Sequence, residues 1–173
     1  MGDRLSSYIR ENIIVMTTSQ KLGAFLLSLI IPLAVGGVSG FFTVSAIPGW
    51  YQTIQKPTWN PPNWVFGPVW TTLYVLMGIA MYLVWSRPRT PERQRALYLN
   101  ALQLGFNFFW SLIFFNLHAI GGALIEIGVL WALIVATMFA YDKVYKPAAW
   151  LLLPYIVWVT FATILNFTIW RLN

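Results

Sequence analysis

The chain has 173 residues and a mass of 19.8 kDa, with 58% hydrophobic residues, 9% charged residues and a mean hydropathy of +0.66. Eleven basic and five acidic side chains cannot cover the surface of a soluble domain of this size, so the composition indicates a membrane protein. The net charge of +6 and the absence of cysteine exclude two further readings. The basic residues lie in short connections between apolar runs, so no nucleic-acid partner is expected, and disulfides and thiolate metal sites are impossible.

Five apolar segments are long enough to cross a membrane. A transmembrane helix needs about 20 mostly apolar residues to cover a hydrocarbon core of about 30 Å. We predict spans at 22–44, 64–85, 97–117, 120–140 and 148–170. Strands of a membrane barrel would be about half as long and would alternate in polarity, so these segments are helices. The sequence therefore predicts an all-α integral membrane protein, with one five-helix bundle in residues 22–171 after a tail of residues 1–21.

The end of the first span, Val44-Ser45-Ala46, resembles a signal-peptide cleavage site. However, the apolar run is longer than the core of about 7–15 residues that a signal peptide has, and a long tail precedes it. We therefore expect the first span to remain as a transmembrane helix of the mature protein.

Lysine and arginine are distributed unevenly between the two ends of the predicted bundle. Nine lie in the tail and in the second and fourth connections: Arg4, Arg10, Lys21, Arg87, Arg89, Arg93, Arg95, Lys143 and Lys146. The opposite end has only Lys56 and Arg171. The positive-inside rule therefore predicts a cytoplasmic N-terminus, with the first loop, residues 45–63, and the C-terminus on the opposite side.

The first loop and the start of the second span are rich in tryptophan and proline. The segment from Trp50 to Trp70 reads WYQTIQKPTWNPPNWVFGPVW, with four tryptophans, four prolines and one charge, Lys56. A loop that only joins two helices has no need of this composition, whereas a loop that covers a flat aromatic ligand does.

Three predicted helices place aromatic and amide side chains on single faces in the half of the membrane next to this loop. At helical spacing, one stripe contains Phe66, Trp70, Tyr74 and Met77, a second contains Gln103, Asn107, Trp110 and Phe114, and a third contains Tyr155, Trp158, Ala162 and Asn166. The amides of Gln103, Asn107 and Asn166 are costly against lipid, so they should point inward and be hydrogen-bonded, either between helices or in a pocket. We expect Trp131, which also lies inside a span, to face other helices or a cavity.

These residues carry a resemblance to a known family. The motifs are Trp50-Tyr51, Lys56-Pro57-x-Trp59-x-Pro61-Pro62, Phe66-x-x-Val69-Trp70-x-x-Leu73-Tyr74, Asn107-x-x-Trp110, and Pro154-Tyr155-x-x-Trp158-x-x-Phe161-Ala162-x-x-Leu165-Asn166. Together they are similar to the pattern of the translocator proteins, also called tryptophan-rich sensory proteins or peripheral-type benzodiazepine receptors. The resemblance extends over residues 22–171.

The resemblance implies a five-helix bundle, usually dimeric, with a pocket closed by the first loop. Members of the family bind tetrapyrroles such as protoporphyrin, sterols in some cases, and synthetic isoquinoline carboxamides and benzodiazepines. By position, the ligand-binding residues implied here are Tyr51, Pro61, Trp70, Asn107, Trp110, Trp158, Ala162 and Leu165. Trp70 and Trp158 occupy the positions tied to porphyrin chemistry and would be the catalytic residues if that chemistry takes place. No cofactor is required, since porphyrin is a ligand.

Two functions follow from this reading. The first is a membrane receptor or carrier that binds tetrapyrroles and other flat hydrophobic ligands, in the sensing or regulation of porphyrin levels. The alternative is an enzyme that degrades porphyrin with light and oxygen, as some bacterial members of the family are reported to do. An aromatic pocket serves both functions, so the sequence leaves them open. Transport of general metabolites would predict inverted repeats or broken midplane helices, and neither is evident.

Three residues outside these motifs bear on function. Phe167 stands before Arg171 where family members that bind cholesterol have tyrosine, which argues against a sterol as native ligand. Glu126 is the one charged residue inside a span and is a functional candidate, with snorkelling to the interface as the alternative. His118, the only histidine, is expected at the membrane interface rather than on a haem iron. No metal cluster or catalytic triad is recognisable.

Small residues on two helices suggest how the chain assembles. Ala101 and Gly105 form a small strip on the third span, about half a turn away from the Asn107–Trp110 stripe, and Gly36 and Gly40 form a competing strip on the first. Helices associate in lipid where small residues allow close backbone approach. We therefore expect a homodimer through the third span.

Overall fold

The structure, a computed structural model, describes residues 17–173 and consists of helices. Five of them are long: α1 (Thr18–Ala46), α3 (Asn63–Trp85), α4 (Pro91–Ser111), α5 (Ile120–Trp150) and α6 (Leu153–Leu172). The short helix α2 (Trp50–Thr53) lies in the first loop, and a π-helical segment, Leu112–Asn116, continues α4. The five long helices are long and apolar enough to span a membrane, and no strand occurs in residues 17–173, which confirms the predicted fold class. Arg4 and Arg10 of the tail lie outside the described residues.

Side-chain caps set two helix starts that hydropathy does not reveal. α1 begins at a capping box, in which the Thr17 amide donates to Gln20 Oε1 at 2.9 Å and the Gln20 amide donates to Thr17 Oγ1 at 3.3 Å. α4 begins at Pro91, two turns before the predicted span, because Thr90 Oγ1 accepts from the Arg93 amide at 3.2 Å. A polar first turn is invisible to a search for apolar residues.

The predicted fourth connection, residues 141–147, lies within the bounds of α5, and the helix breaks inside it. The helix continues to Trp150 with a break at Tyr145, where φ is −162° and ψ is 102°. Pro147 has no N–H to donate, and in a regular helix its ring would clash with the carbonyl group of Lys143, so the helix must break nearby. The predicted fifth span, 148–170, begins just after this break, while the helix α6 begins at Leu153 with Pro154 in its first turn.

The two ends of the bundle are packed differently. We call the end with the first loop and the C-terminus of α6 the loop end, and the end with residues 86–95 and 141–152 the basic end. The larger core cluster lies toward the basic end, around fully buried side chains such as Met77, Ile134 and Tyr141. There α1 and α3 approach closely, since a Cβ on Gly78 would lie 2.8 Å from the Ser28 carbonyl oxygen. A smaller aromatic cluster at the loop end leaves room for a cavity.

Candidate ligand site

A cavity of about 450 Å³ lies at the loop end. Its walls come from α1, α3, α4 with its π-helical segment, and α6, together with Tyr51 of α2. The aromatic rings around it include Tyr51, Trp70, Trp110, Phe114, Trp158 and Phe161. None of the described residues that line it is charged, so the cavity suits a flat and largely apolar molecule.

The cavity brings together six of the eight sequence-predicted ligand residues: Tyr51, Trp70, Trp110, Trp158, Ala162 and Leu165. Pro61, in the half-buried part of the first loop, and Asn107, on α4, do not line it. The sequence reading missed the contribution of α1, where Gly37 and Gly40 line the cavity and a Cβ on either would meet no atom within 4 Å. The run of small residues at 36–40 was the available signal, because it leaves space beside the helix.

Asn107 lies behind the cavity wall and holds two tyrosines. The Tyr74 hydroxyl donates to Asn107 Oδ1, and Asn107 Nδ2 donates to the Tyr155 hydroxyl at 3.0 Å. Tyr155 in turn donates to Gln103 Oε1 at 3.0 Å. Tyr74 itself lines the cavity, so this buried network orients one of the rings that a ligand would meet.

The predicted orientation of the three amides is confirmed. Gln103, Asn107 and Asn166 are 1–2% exposed, and each makes side-chain hydrogen bonds. Asn166 accepts from Trp110 Nε1 at 3.2 Å and donates to the Ile120 carbonyl oxygen at 3.0 Å. Asn166, near the end of α6, thereby links the Trp110 indole of α4 to the first residue of α5.

The two tryptophans linked to porphyrin chemistry stand on different helices. Trp70 of α3 stacks on Tyr74 with ring centres 5.5 Å apart and meets the edge of Tyr155 at 6.2 Å. Trp158 of α6 packs edge-on against Phe66 of α3 at 6.1 Å. Both indoles are therefore held by neighbouring rings in the structure as it stands, so little rotamer entropy would be lost when a ligand stacks on them.

The first loop is ordered by contacts within itself. Tyr51 is 3% exposed, and its hydroxyl donates to Asn60 Oδ1 at 2.9 Å. Burial raises the pKa of Tyr51 to about 12, so the phenol stays neutral at physiological pH. Lys56 Nζ donates to the carbonyl oxygens of Tyr51 and Ile54 and lies 4.8 Å from the Tyr51 ring centre. The single cation of the loop therefore stabilises the loop itself.

Two further contacts fasten the loop to the bundle. The Gln55 amide donates to Asn173 Oδ1 and Asn173 Nδ2 donates to the Gln55 carbonyl oxygen, both at 3.0 Å. Trp50 stacks on the His118 ring with centres 4.3 Å apart. His118 is exposed, as expected for an interfacial position, and has a left-handed backbone with φ of 55°.

The structure decides against one alternative for Glu126 and corrects the expectation for Trp131. Glu126 does not snorkel, because it is 9% exposed and neither carboxyl oxygen has a hydrogen-bond partner in residues 17–173. It also does not line the cavity. The expectation for Trp131 is wrong: it is 40% exposed on the outside of the bundle, which is tolerated because its Nε1 donates to Thr160 Oγ1 at 2.8 Å. Within the described chain no cluster of metal-ligating side chains occurs.

The fold and the site define a multi-pass membrane protein with five helices and an uncharged aromatic cavity beneath an ordered loop. The model of the TspO/MBR family matches residues 28–171, and the chain belongs to this family. Its similarity to the tryptophan-rich protein TspO of Chlorobaculum tepidum is 44% identity over 145 residues, which cover 82% of this chain and 90% of the relative.

The family includes relatives from distant organisms. The chain is 43% identical to the translocator protein of Homo sapiens over 126 residues, which cover 72% of this chain and 75% of the relative. It is 41% identical to a tryptophan-rich sensory protein of Cereibacter sphaeroides over 124 residues, which cover 72% and 77% of the two chains. The resemblance inferred from the sequence motifs is thus confirmed.

Proposed function

We propose that the protein is a membrane receptor or carrier that binds tetrapyrroles such as protoporphyrin, and other flat hydrophobic molecules, in the cavity beneath the first loop. Its role would be the sensing or regulation of porphyrin levels. The observation that carries the proposal is the uncharged cavity of about 450 Å³ with aromatic rings on three spanning helices. Small-molecule sites typically have about 300–1,000 Å³ and a mostly apolar lining.

The shape and chemistry of the walls favour a conjugated ring system. A flat macrocycle can stack offset on one indole and meet the edge of another, and each such pair contributes about 0.5–1.5 kcal/mol beyond burial. Trp70, Trp110 and Trp158 offer three indoles on three helices, and Trp70 and Trp110 are already held by Tyr74 and Asn166. A flexible aliphatic ligand would gain less binding free energy from these rings.

The absence of charge among the lining residues limits how a porphyrin can sit. Burying an ionised carboxylate without a partner is costly. We therefore infer that the ring enters the cavity while any carboxylates remain in water at the loop end. A dimethyl ester should then bind about as well as the free dicarboxylic acid.

The test is a titration of protoporphyrin and its dimethyl ester into the purified protein in nanodiscs, in the dark, followed by tryptophan emission. Saturable quenching by both compounds, with similar affinities, supports the proposal. Quenching that rises without saturation, as for partition into lipid alone, contradicts it. Empty nanodiscs with free indole are the control.

The alternative function, degradation of porphyrin with light and oxygen, has one observation in its favour. Two indoles, Trp70 and Trp158, line the same cavity, and an indole is an electron-rich partner for a photoexcited ring. Illumination of the complex under oxygen separates the two functions. A new absorbing product formed in excess over the protein indicates an enzyme, and an unchanged spectrum indicates a receptor or carrier.

We infer further that the basic end faces the cytoplasm and that the first loop lies on the opposite side, from the excess of lysine and arginine at the basic end. Since the chain has no cysteine, single-cysteine variants give a clean test. In intact cells, an impermeant maleimide should label Thr58→Cys in the first loop and spare Gln94→Cys, both at exposed positions. Labelling of Gln94→Cys but not of Thr58→Cys would show that the protein has the opposite orientation in the membrane.

A further inference from the structure

Arg87 lies at the basic end with its guanidinium against an aromatic ring. Its guanidinium carbon lies 3.6 Å from the centre of the Tyr145 ring, at the break in α5. Its Nε is buried and has no hydrogen-bond partner in residues 17–173. When a guanidinium lies on an aromatic ring, its N–H groups stay in its own plane and point outward from its edge. There they can donate to an acceptor. Since Nε is closed off and the side chain is half-buried, the Nη edge is the part of Arg87 that an acceptor can reach.

Arg93 builds the surroundings of Arg87. Its Nη1 donates to the carbonyl oxygens of Trp85 at 3.0 Å and of Arg87 at 2.7 Å, so it closes the end of α3. Arg93 is 9% exposed, and its Nε also has no hydrogen-bond partner within the described chain. The backbone at Arg87 is thus hydrogen-bonded to a second, buried guanidinium. Arg93, through these hydrogen bonds, and Tyr145, through its ring, together fix the position of Arg87.

Charged and aromatic residues near Arg87 indicate its level in the membrane. Arg89 lies two residues after Arg87, and Lys143 and Lys146 lie on either side of Tyr145 in the chain. These three basic side chains are exposed, as are the two acidic ones at this end, Glu92 and Asp142. Two exposed aromatic side chains lie toward this end, Trp150 at 61% and Tyr98 at 64% exposed. Exposed aromatic rings mark the headgroup region of a bilayer. Lipid headgroup phosphates are acceptors that a bilayer presents at this level.

We propose that the basic end binds an anionic phospholipid, with the headgroup phosphate on the guanidinium of Arg87, which Arg93 and Tyr145 hold in place. A planar guanidinium can hold two phosphate oxygens at once. Lys143 and Lys146 favour a headgroup with net negative charge over phosphatidylcholine, whose own cation they repel. This site is separate from the cavity at the loop end and does not depend on the proposed tetrapyrrole function.

The test uses native mass spectrometry of the full chain in detergent micelles with added phosphatidylglycerol or phosphatidylcholine. The wild type should retain phosphatidylglycerol in preference to phosphatidylcholine. Arg87→Gln should lower phosphatidylglycerol retention about ten-fold, as expected for the loss of a charged hydrogen-bonded pair. The matched control is Arg95→Gln, which removes the same charge from an exposed position. Arg95 follows Arg93 by two residues and so lies about 200° around α4 from it.

Each other outcome overturns the proposal. Equal retention of the two lipids by the wild type, or equal losses in Arg87→Gln and Arg95→Gln, would indicate unspecific attraction to a basic surface. Displacement of the lipid by inorganic phosphate would indicate a site for soluble anions. If circular dichroism shows that Arg87→Gln does not fold, Tyr145→Leu replaces it, since this change removes the platform without altering charge. Unchanged lipid preference in Tyr145→Leu would also overturn the proposal.

Discussion

The carboxamide oxygen of Asn107 accepts a hydrogen bond from Tyr74, whose ring lines the cavity while Asn107 lies behind it. Asn107 therefore positions a wall of the site without touching its contents. The same amide donates to Tyr155, so a single side chain joins α4 to both α3 and α6. Stability and ligand affinity should be coupled at this residue.

We expect Asn107→Leu to lower the free energy of unfolding by about 1–2 kcal/mol, because the hydroxyls of Tyr74 and Tyr155 lose a buried partner. Thermal unfolding in detergent measures the effect. A double-mutant cycle with Tyr74→Phe is the control, and the double variant should be less destabilised than the sum of the two single changes. Additive losses would show that the bond contributes nothing.

Replacement of the two cavity tryptophans should weaken porphyrin binding. Each of Trp70→Phe and Trp158→Phe should cost about 1 kcal/mol of affinity, or several-fold in Kd, because a phenyl ring offers a smaller stacking face. Trp131→Phe is a matched control, since that indole lies on the outside of the bundle and bonds to Thr160. Titration in nanodiscs measures all three variants. Unchanged affinity in the variant that carries both Trp70→Phe and Trp158→Phe would show that porphyrin does not bind in this cavity.

Filling the cavity from either side should block it. Ala162→Leu on α6 and Gly40→Leu on α1 both add a side chain to the cavity wall, and a Cβ on Gly40 meets no atom within 4 Å, so the fold should survive. Gly23→Leu is a matched control on α1, because this position is equally free of neighbours and does not line the cavity. Binding as tight as in the wild type, in a folded Gly40→Leu variant, would contradict the assignment.

Loss of the two hydrogen bonds between the Asn173 side chain and the Gln55 backbone should open the first loop. Asn173→Ala removes both hydrogen bonds to the Gln55 backbone, and these are the contacts that join the loop to the end of α6. Stopped-flow displacement should show faster ligand dissociation, with less change in the association rate. As a comparison, Thr168→Ala on the same helix removes only a bond to its own backbone and should leave both rates alone. Equal dissociation rates in all three proteins would mean that the loop does not gate the cavity.

The predicted dimer through α4 remains consistent with the surface that the chain offers. Ala101 is exposed, and a Cβ on Gly105 would meet no atom within 4 Å. The competing strip is used inside the chain, since a Cβ on Gly36 would overlap the Tyr74 ring and Gly40 lines the cavity. Ala101→Leu with Gly105→Leu should therefore dissociate a homodimer in cross-linking and light scattering. A dimer that survives both changes would place the interface elsewhere.

The sequence by itself determined the five spans and the aromatic character of the site. Crossing about 30 Å of hydrocarbon requires long apolar helices, so composition and run length were sufficient. Helical periodicity also placed Trp70 and Trp158 on faces that line the cavity. The cost of an unbonded amide in lipid was enough to predict that Asn166 is buried.

Only the tertiary structure decided which neighbour each face meets. Period 3.6 shows which residues share a face, but the packing of α1 against α3 and α4 brings Gly40 to the cavity and leaves Asn107 behind it. In the same way, Thr160 on α6 allows Trp131 to face outward. The break at Tyr145 places its ring under Arg87, two positions that are far apart in sequence. Such relationships depend on contacts between helices, which a local pattern does not contain.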